Sequence, residues 1–335
     1  MSETTAHLLS ALRLATGRDD LEFASTPTPL TGGFDAEMVR FRLADPPARL
    51  DRDLVARIVR TSSVGEWEST VQREVAAQGF PTPAVRLVVD ESNPLGRHLT
   101  VMDAVEGVPP MSGLGVGSIV LRILRLTRDL PDQLADIAAR LHRLDPGPLD
   151  DALGSLPNPL PLTTAGFVEE QAGWARDAGR PDLADAASRL LRTEPRSDAR
   201  VITHGDLHPF NLLVTSDDLH LVDWTLGRVA HPGFTVGFTH LMLANPPILV
   251  PPAAAPVIRR VGARMARRFL STYRSLADGT PAAVDDEQVA WHRGVHALRI
   301  LAELAKWEAE GRRPVSGHPW LVLEPVARRS LDLAP

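Results

Sequence analysis

The sequence predicts an α+β protein in two parts, a small mixed part built on an antiparallel sheet followed by a larger, mainly helical part. Three observations carry that expectation. A chain of 335 residues exceeds one ordinary domain of roughly 150. A hydrophobic fraction of 44% against 23% charged residues supplies a core and excludes a disordered chain. Strand-like alternation is concentrated before residue 103, and helical spacing dominates after it, which divides the chain into 1–103 and 104–335.

Taken in order, residues 6–17 place Leu8, Leu9 and Leu12 on one helical face, and Gly17 supplies a stop. After the turn at Thr31-Gly32-Gly33, Met38–Leu43 and Leu54–Val59 alternate apolar and polar residues around the Asp45-Pro46-Pro47 loop, as two antiparallel strands would. Residues 66–79 have helical spacing through Trp67, Val71 and Val75. Val85–Val89 and Leu99–Met102 return to strand character. Beyond Pro110 the pattern is helical. Pro131 reads as the first turn of a helix carrying Leu134, Ile137, Ala138 and Leu141, a proline-rich connector follows, and two further helices fall near 164–178 and 181–192. The only strand-like pieces in this half are 200–203, 212–214 and 219–222.

Composition removes several functional classes. A net charge of −6 without a basic arm argues against nucleic acid as the partner. The absence of cysteine excludes disulfides, thiolate metal sites and a cysteine nucleophile. The start lacks the basic and apolar regions of a secretory signal, and prolines interrupt the uncharged stretch between Arg228 and Arg259, so a cytoplasmic protein that does not cross a membrane is expected. All basic residues but Lys306 are arginines.

The densest cluster of functional side chains is Thr203-His204-Gly205-Asp206-Leu207-His208-Pro209-Phe210-Asn211, followed by Asp223-Trp224-Thr225. Asp206 and Asn211 lie on a segment that leaves one apolar strand and enters another, and Asp223 closes the next strand. Two carboxylates and an amide oxygen are hard donors suited to Mg²⁺, with one carboxylate left to orient a hydroxyl.

This arrangement, His204-Gly205-Asp206, four residues, Asn211 and then Asp223, resembles the catalytic loop and metal aspartate of the aminoglycoside phosphotransferase family, relatives of choline and homoserine kinases and more distantly of protein kinases. The resemblance implies a protein-kinase-like two-lobe fold, with a nucleotide-binding lobe at 1–103 and a catalytic and acceptor lobe at 104–335. It implies Asp206 as the catalytic base or hydroxyl-aligning group, and Mg²⁺ on Asn211 and Asp223. By the same resemblance Gly32 and Gly33 make the nucleotide-covering turn, Arg57 fixed by Glu74 contacts the α and β phosphates, and backbone groups of Asp103 and Val105 bind adenine. Since Lys306 lies far downstream, Arg57 stands where a third-strand lysine would. The implied activity moves the γ-phosphate of ATP or GTP to a hydroxyl of a metabolite or antibiotic-like acceptor. A nucleotide-binding regulatory protein without transferase activity is the alternative.

Other groups invite a structural reading. His204 is expected to support the loop through hydrogen bonds, and His208 is left unassigned. His292 and His296, four apart, with Arg299 and Glu303 continuing that face, read as a solvated polar face opposite Trp291, Val295, Leu298, Ala302 and Ala305, with zinc binding the sharper option. From His231 onward there are 13 Arg and Lys against 9 Asp and Glu, unlike a pocket for a polycation. The stretch 229–258 with Trp291, Trp307 and Trp320 instead suggests an apolar pocket for a neutral hydroxylated acceptor such as a macrolide or polyketide.

Overall fold

The computed structural model describes residues 3–30, 36–110, 119–216, 218–315 and 317–334. Its contacts divide the chain into two compact units, one of Met1–Pro109, Gly147–Leu160 and Asn211–Leu226, the other of Pro110–Pro146, Pro161–Phe210 and Gly227–Pro335. The cut at 103 expected from sequence treats the parts as consecutive, whereas the units interleave along the chain.

In unit 1, β1 (Glu22–Phe23) and β4 (Leu43–Ala44) form a short antiparallel pair. The main sheet has the order β2 (Thr28–Leu30), β3 (Ala36–Phe41), β5 (Leu54–Val59), β7 (His98–Asp103), β6 (Val85–Val89), antiparallel throughout. Alternation along β5 decides what each face carries. Leu54, Ala56 and Ile58 join Leu99, Val101 and Phe41 in a core with Leu8 and Leu12 of α1 (Glu3–Thr16). Val55, Arg57 and Val59 therefore point to the other face, where α2 (Ser62–Ala77) buries Trp67, Val71 and Val75. Close approach fixes that helix: a Cβ on Gly65 would stand 2.3 Å from the His98 ring. The unit also holds α4 (Gly147–Gly154) and the hairpin β9 (Leu212–Val214) and β10 (Leu219–Leu221), with Leu212 opposite Leu221.

Unit 2 contains α3 (Ile119–Leu141), α5 (Thr164–Asp177), α6 (Pro181–Arg192), β8 (Val201–Thr203), β11 (Arg228–Ala230), α7 (Gly233–Ala244), α8 (Ala255–Ala277), α9 (Asp286–Ala309) and α10 (Pro319–Ser330). Strands β8 and β11 pair antiparallel. Helix α9, opened by a capping box of Asp285 and Gln288, packs against α5, α6, α7 and α10. Among the described residues no helix is long and apolar enough to cross a membrane.

Four local expectations are corrected. Pro131 lies inside α3 rather than at its start, the interior proline being tolerated in a helix packed along α8. The proline-rich connector holds α4. Within the stretch 229–258, residues up to Leu243 build core, because β11 is buried and α7 buries Phe234, Val236, Phe238, Leu241 and both of its glycines, whereas Ile248, Leu249 and Val257 are exposed. His292 and His296 are buried too, since α9 is surrounded by helices and has no solvated face along that line.

Candidate active site

Unit 1 gathers charged groups around Arg57. Its guanidinium donates from Nε to Glu68 at 2.9 Å and from Nη2 to Asp223 Oδ1 at 3.4 Å, with Thr225 Oγ1 at 3.5 Å. Glu68 is buried, and desolvation outweighs the attraction of Arg57, so its carboxyl is pushed up to about 7. Asp223 leaves the β9–β10 hairpin with φ +67°, a left-handed conformation uncommon for a residue with a Cβ. Three contacts hold it there. Val222 N–H donates to Asn211 O at 3.0 Å, the Thr225 hydroxyl donates to Asp223 Oδ1 at 2.7 Å, and the buried Trp224 donates from its indole to Thr82 Oγ1 at 2.9 Å. Asn211 ends a 3-10 turn, Pro209–Asn211, and is itself buried.

The loop ahead of Asn211 is clamped from α7. Thr235 Oγ1 accepts from the His204 and Gly205 amides at 2.9 and 3.3 Å, and the Thr239 hydroxyl donates to Leu207 O at 2.9 Å. Gly205 turns at φ +73°, where a side chain would be strained. Buried His204 accepts the Asp206 amide on Nδ1 at 3.2 Å, the supporting role read from sequence.

Asp206 itself is held by α9. Oδ1 accepts from Arg299 Nη1 at 3.0 Å, and His208 Nε2 stands 3.3 Å from Oδ2. Arg299 also donates from Nε to Glu303 at 2.9 Å, and Glu303 accepts the Trp320 indole N–H of α10. Burial by itself would raise the Asp206 carboxyl. The Arg299 charge and the His208 hydrogen bond outweigh it and hold the group well below the usual carboxylate range. The group is an ionised acceptor at any working pH.

The predicted residues fare differently. Arg57 and Asp223 are brought together, but the acidic partner of Arg57 is Glu68, not Glu74. Glu68 lies on the turn of α2 that faces β5, whereas Glu74, six residues on, is rotated about 240° away. The Asp103 amide is committed to Ala84 O at 3.0 Å, so at that position only the carbonyl remains for a base, while Val105 has no backbone hydrogen bond among the described residues. Gly32 and Gly33 lie outside the described residues. His296 sits 2.7 Å from Phe234 O through Nε2 and, with His292, is kept neutral by burial, which pushes both to about 3. Among the described residues no three His, Cys, Asp or Glu are grouped to hold a metal, which leaves the zinc reading without support. Sequence reasoning missed Glu68, Thr235 and the role of Arg299. The last had one signal, its i,i+4 spacing to Glu303.

One unit with an antiparallel five-stranded sheet and a buried Glu–Arg pair, and a second, helical unit with an aspartate loop, define the kinase-like α+β class. The match to the phosphotransferase enzyme family model spans residues 26–270, and the chain belongs to that family. Solved structures share the fold across whole chains. A Ralstonia eutropha protein assigned to the aminoglycoside phosphotransferases is 18% identical, with a TM-score of 0.65, over 98% of this chain and 97% of its own. Macrolide 2'-phosphotransferase type I is 18% identical, TM-score 0.58, over 100% and 99%. A spectinomycin phosphotransferase, solved with ADP and spectinomycin, is 13% identical, TM-score 0.57, over 98% and 97%. Choline kinases share the fold as well. No curated protein sequence matches the chain.

Proposed function

We propose that this phosphotransferase moves the γ-phosphate of ATP or GTP to a hydroxyl of a small metabolite or antibiotic-like molecule. The observation that carries the reading is the Arg57 cluster, in which residues 166 positions apart meet through a guanidinium that buried Glu68 fixes in place. A forked donor held in this way suits the α and β phosphates, and Arg57 exchanges Asp223 for phosphate oxygens when a nucleotide arrives. The nucleotide-covering role stays with Gly32 and Gly33, and the adenine contacts with the Val105 backbone and the Asp103 carbonyl.

Asn211 and Asp223 fit Mg²⁺ by donor chemistry. They offer an amide oxygen and a carboxylate that is 39% exposed, too few for an all-protein cage but suited to an ion that takes its remaining ligands from phosphates and water. Bound there, the ion would supply charge neutralisation at the phosphates. Asp206 accepts a hydrogen bond from the acceptor hydroxyl and aligns its oxygen. Held below the usual carboxylate range, it orients rather than stores the proton.

For the acceptor, a neutral hydroxylated compound of the macrolide or polyketide kind remains our proposal, resting on the basic excess after His231. Neutral macrolides and kanamycin-like polycations are the two arms to compare. Tight kanamycin binding that depends on carboxylates overturns the acceptor class.

The test of the reaction itself combines a thermal-shift titration with MgATP and MgGTP with phosphoryl transfer over a hydroxyl-compound panel, for the wild type and Asp206→Ala. Binding with turnover that Asp206→Ala removes supports the reading. Binding without turnover identifies a nucleotide-binding regulator instead.

A further inference from the structure

The Asp206 carboxylate is held by a side chain 93 positions away. Arg299 is 10% exposed at its side chain and is fixed on every side that matters. Nη1 donates to Asp206 and Nε to Glu303, while the guanidinium carbon lies 5.1 Å from the Trp320 ring centre and 5.6 Å from that of Phe238. Glu303 in turn accepts the Trp320 indole N–H. Side chains of α7 and α10 thus brace the α9 guanidinium that donates to Asp206.

We propose that Arg299 is a positioning residue for the reaction: by holding Oδ1 it fixes the rotamer of Asp206, so that Oδ2, which also faces His208, is presented to the acceptor hydroxyl in one orientation. This rests on the assignment of Asp206 made above. Two features of the fork make arginine necessary. A lysine ammonium is a point charge on a flexible stem and cannot hold Asp206 and Glu303 in a fixed relation, and it stacks less well between Trp320 and Phe238. Oδ2 then approaches the hydroxyl in one direction only, which is where orientation lowers a barrier. The charged and titratable groups around Asp206 are Arg299, Glu303 and neutral His296 from α9, His208 and His204 from its own loop, and, beyond Arg299, Arg228, whose like charge repels that of Arg299.

The experiment uses full-length Arg299→Met, Arg299→Lys, Arg299→Ala and Glu303→Gln. The readouts are kcat and KM for phosphoryl transfer to an acceptor found by the panel, or phosphate release from MgATP where none is found, and the titration of the Asp206 carboxyl carbon by ¹³C NMR. Arg299→Met should lower kcat roughly 100-fold with the MgATP thermal shift retained, and Arg299→Lys about tenfold. Millimolar guanidinium should restore Arg299→Ala at least about fivefold, and the Asp206 carboxyl should titrate at higher pH in Arg299→Met than in wild type. Glu303→Gln, which keeps shape and the indole contact, should lose about threefold to tenfold in kcat and covers the case in which Arg299→Met does not fold. A kcat within twofold of wild type in the folded Arg299 variants overturns the proposal. So does a loss without guanidinium rescue and with unchanged Asp206 titration. If the wild type transfers phosphate to nothing, the reaction assignment falls by itself, and the carboxyl titration still decides whether Arg299 governs Asp206.

Discussion

Two arginines, one in each unit, join two carboxylates apiece, and the pairs behave in opposite ways. Arg57 binds Glu68 and Asp223, and Arg299 binds Asp206 and Glu303. Glu68 is 5% exposed at its side chain and is pushed up to about 7, whereas Asp206, at 19%, is held below the carboxylate range. Burial opposes the charge at both sites, so the difference lies in the neighbours: the Asp223 carboxylate repels Glu68, whereas His208 adds a second donor to the Arg299 charge at Asp206. The buried carboxylate anchors its arginine; the other is held charged by two donors.

Substitutions can break or sharpen that contrast. The largest effect is expected from Asp206→Asn, which should lower kcat about 1000-fold, or roughly 4 kcal/mol, with the MgATP thermal shift preserved. A loss below tenfold would remove the functional half of the comparison. Next comes Glu68→Ala, which removes the buried partner of the Arg57 guanidinium and should cost about 3 kcal/mol in urea unfolding.

Glu68→Gln tests the same group through pH. Because the folded carboxyl lies at about 7, above its unfolded value near 4.5, its stabilising contribution is complete below the unfolded value and is lost as pH rises through 7. The variant should flatten the dependence of Tm on pH between those limits. Asp206 has the opposite sign. Its depressed carboxyl contributes stability above the unfolded value near 3.8, and that contribution is lost on further acidification.

Gly65→Ala should cost about 1–3 kcal/mol, since the new methyl meets the His98 ring and α2 must move off the sheet with Glu68 on it. Arg57 chemistry should suffer with it, as a lower affinity for MgATP. The smallest effect belongs to Glu74→Ala, within about 0.5 kcal/mol and without change in nucleotide binding, because Glu74 is not the partner of Arg57. A Glu74→Ala effect equal to that of Glu68→Ala would break the assignment.

Much of this was legible one-dimensionally. The strands at 36–41, 54–59, 85–89 and 98–103 follow from strand-like patterning, and α2, α5 and α6 from helical spacing, because their apolar residues keep the period of the backbone even where, as in β5 and β7, both faces are buried. The aspartate loop was legible because its residues are near neighbours between two short apolar strands. Helices α7 and α9 were misread for the complementary reason. Buried on nearly all sides, they carry no amphipathic contrast, so His292 and His296 looked solvated when they are core. Glu68 against Glu74 was a question of about two-thirds of a helical turn, finer than a spacing argument resolves once the strand facing the helix is unknown.

The sequence by itself determined the α+β class, the aspartate loop and the near-absence of lysine, since those depend on neighbours along the chain and on residue type. Only the tertiary structure decided which carboxylate anchors Arg57, and that Arg299 reaches Asp206. Pairing between residues 93 or 166 positions apart is set by how helices and sheets pack, and burial, which sets whether a carboxyl is charged, does not exist until they have packed.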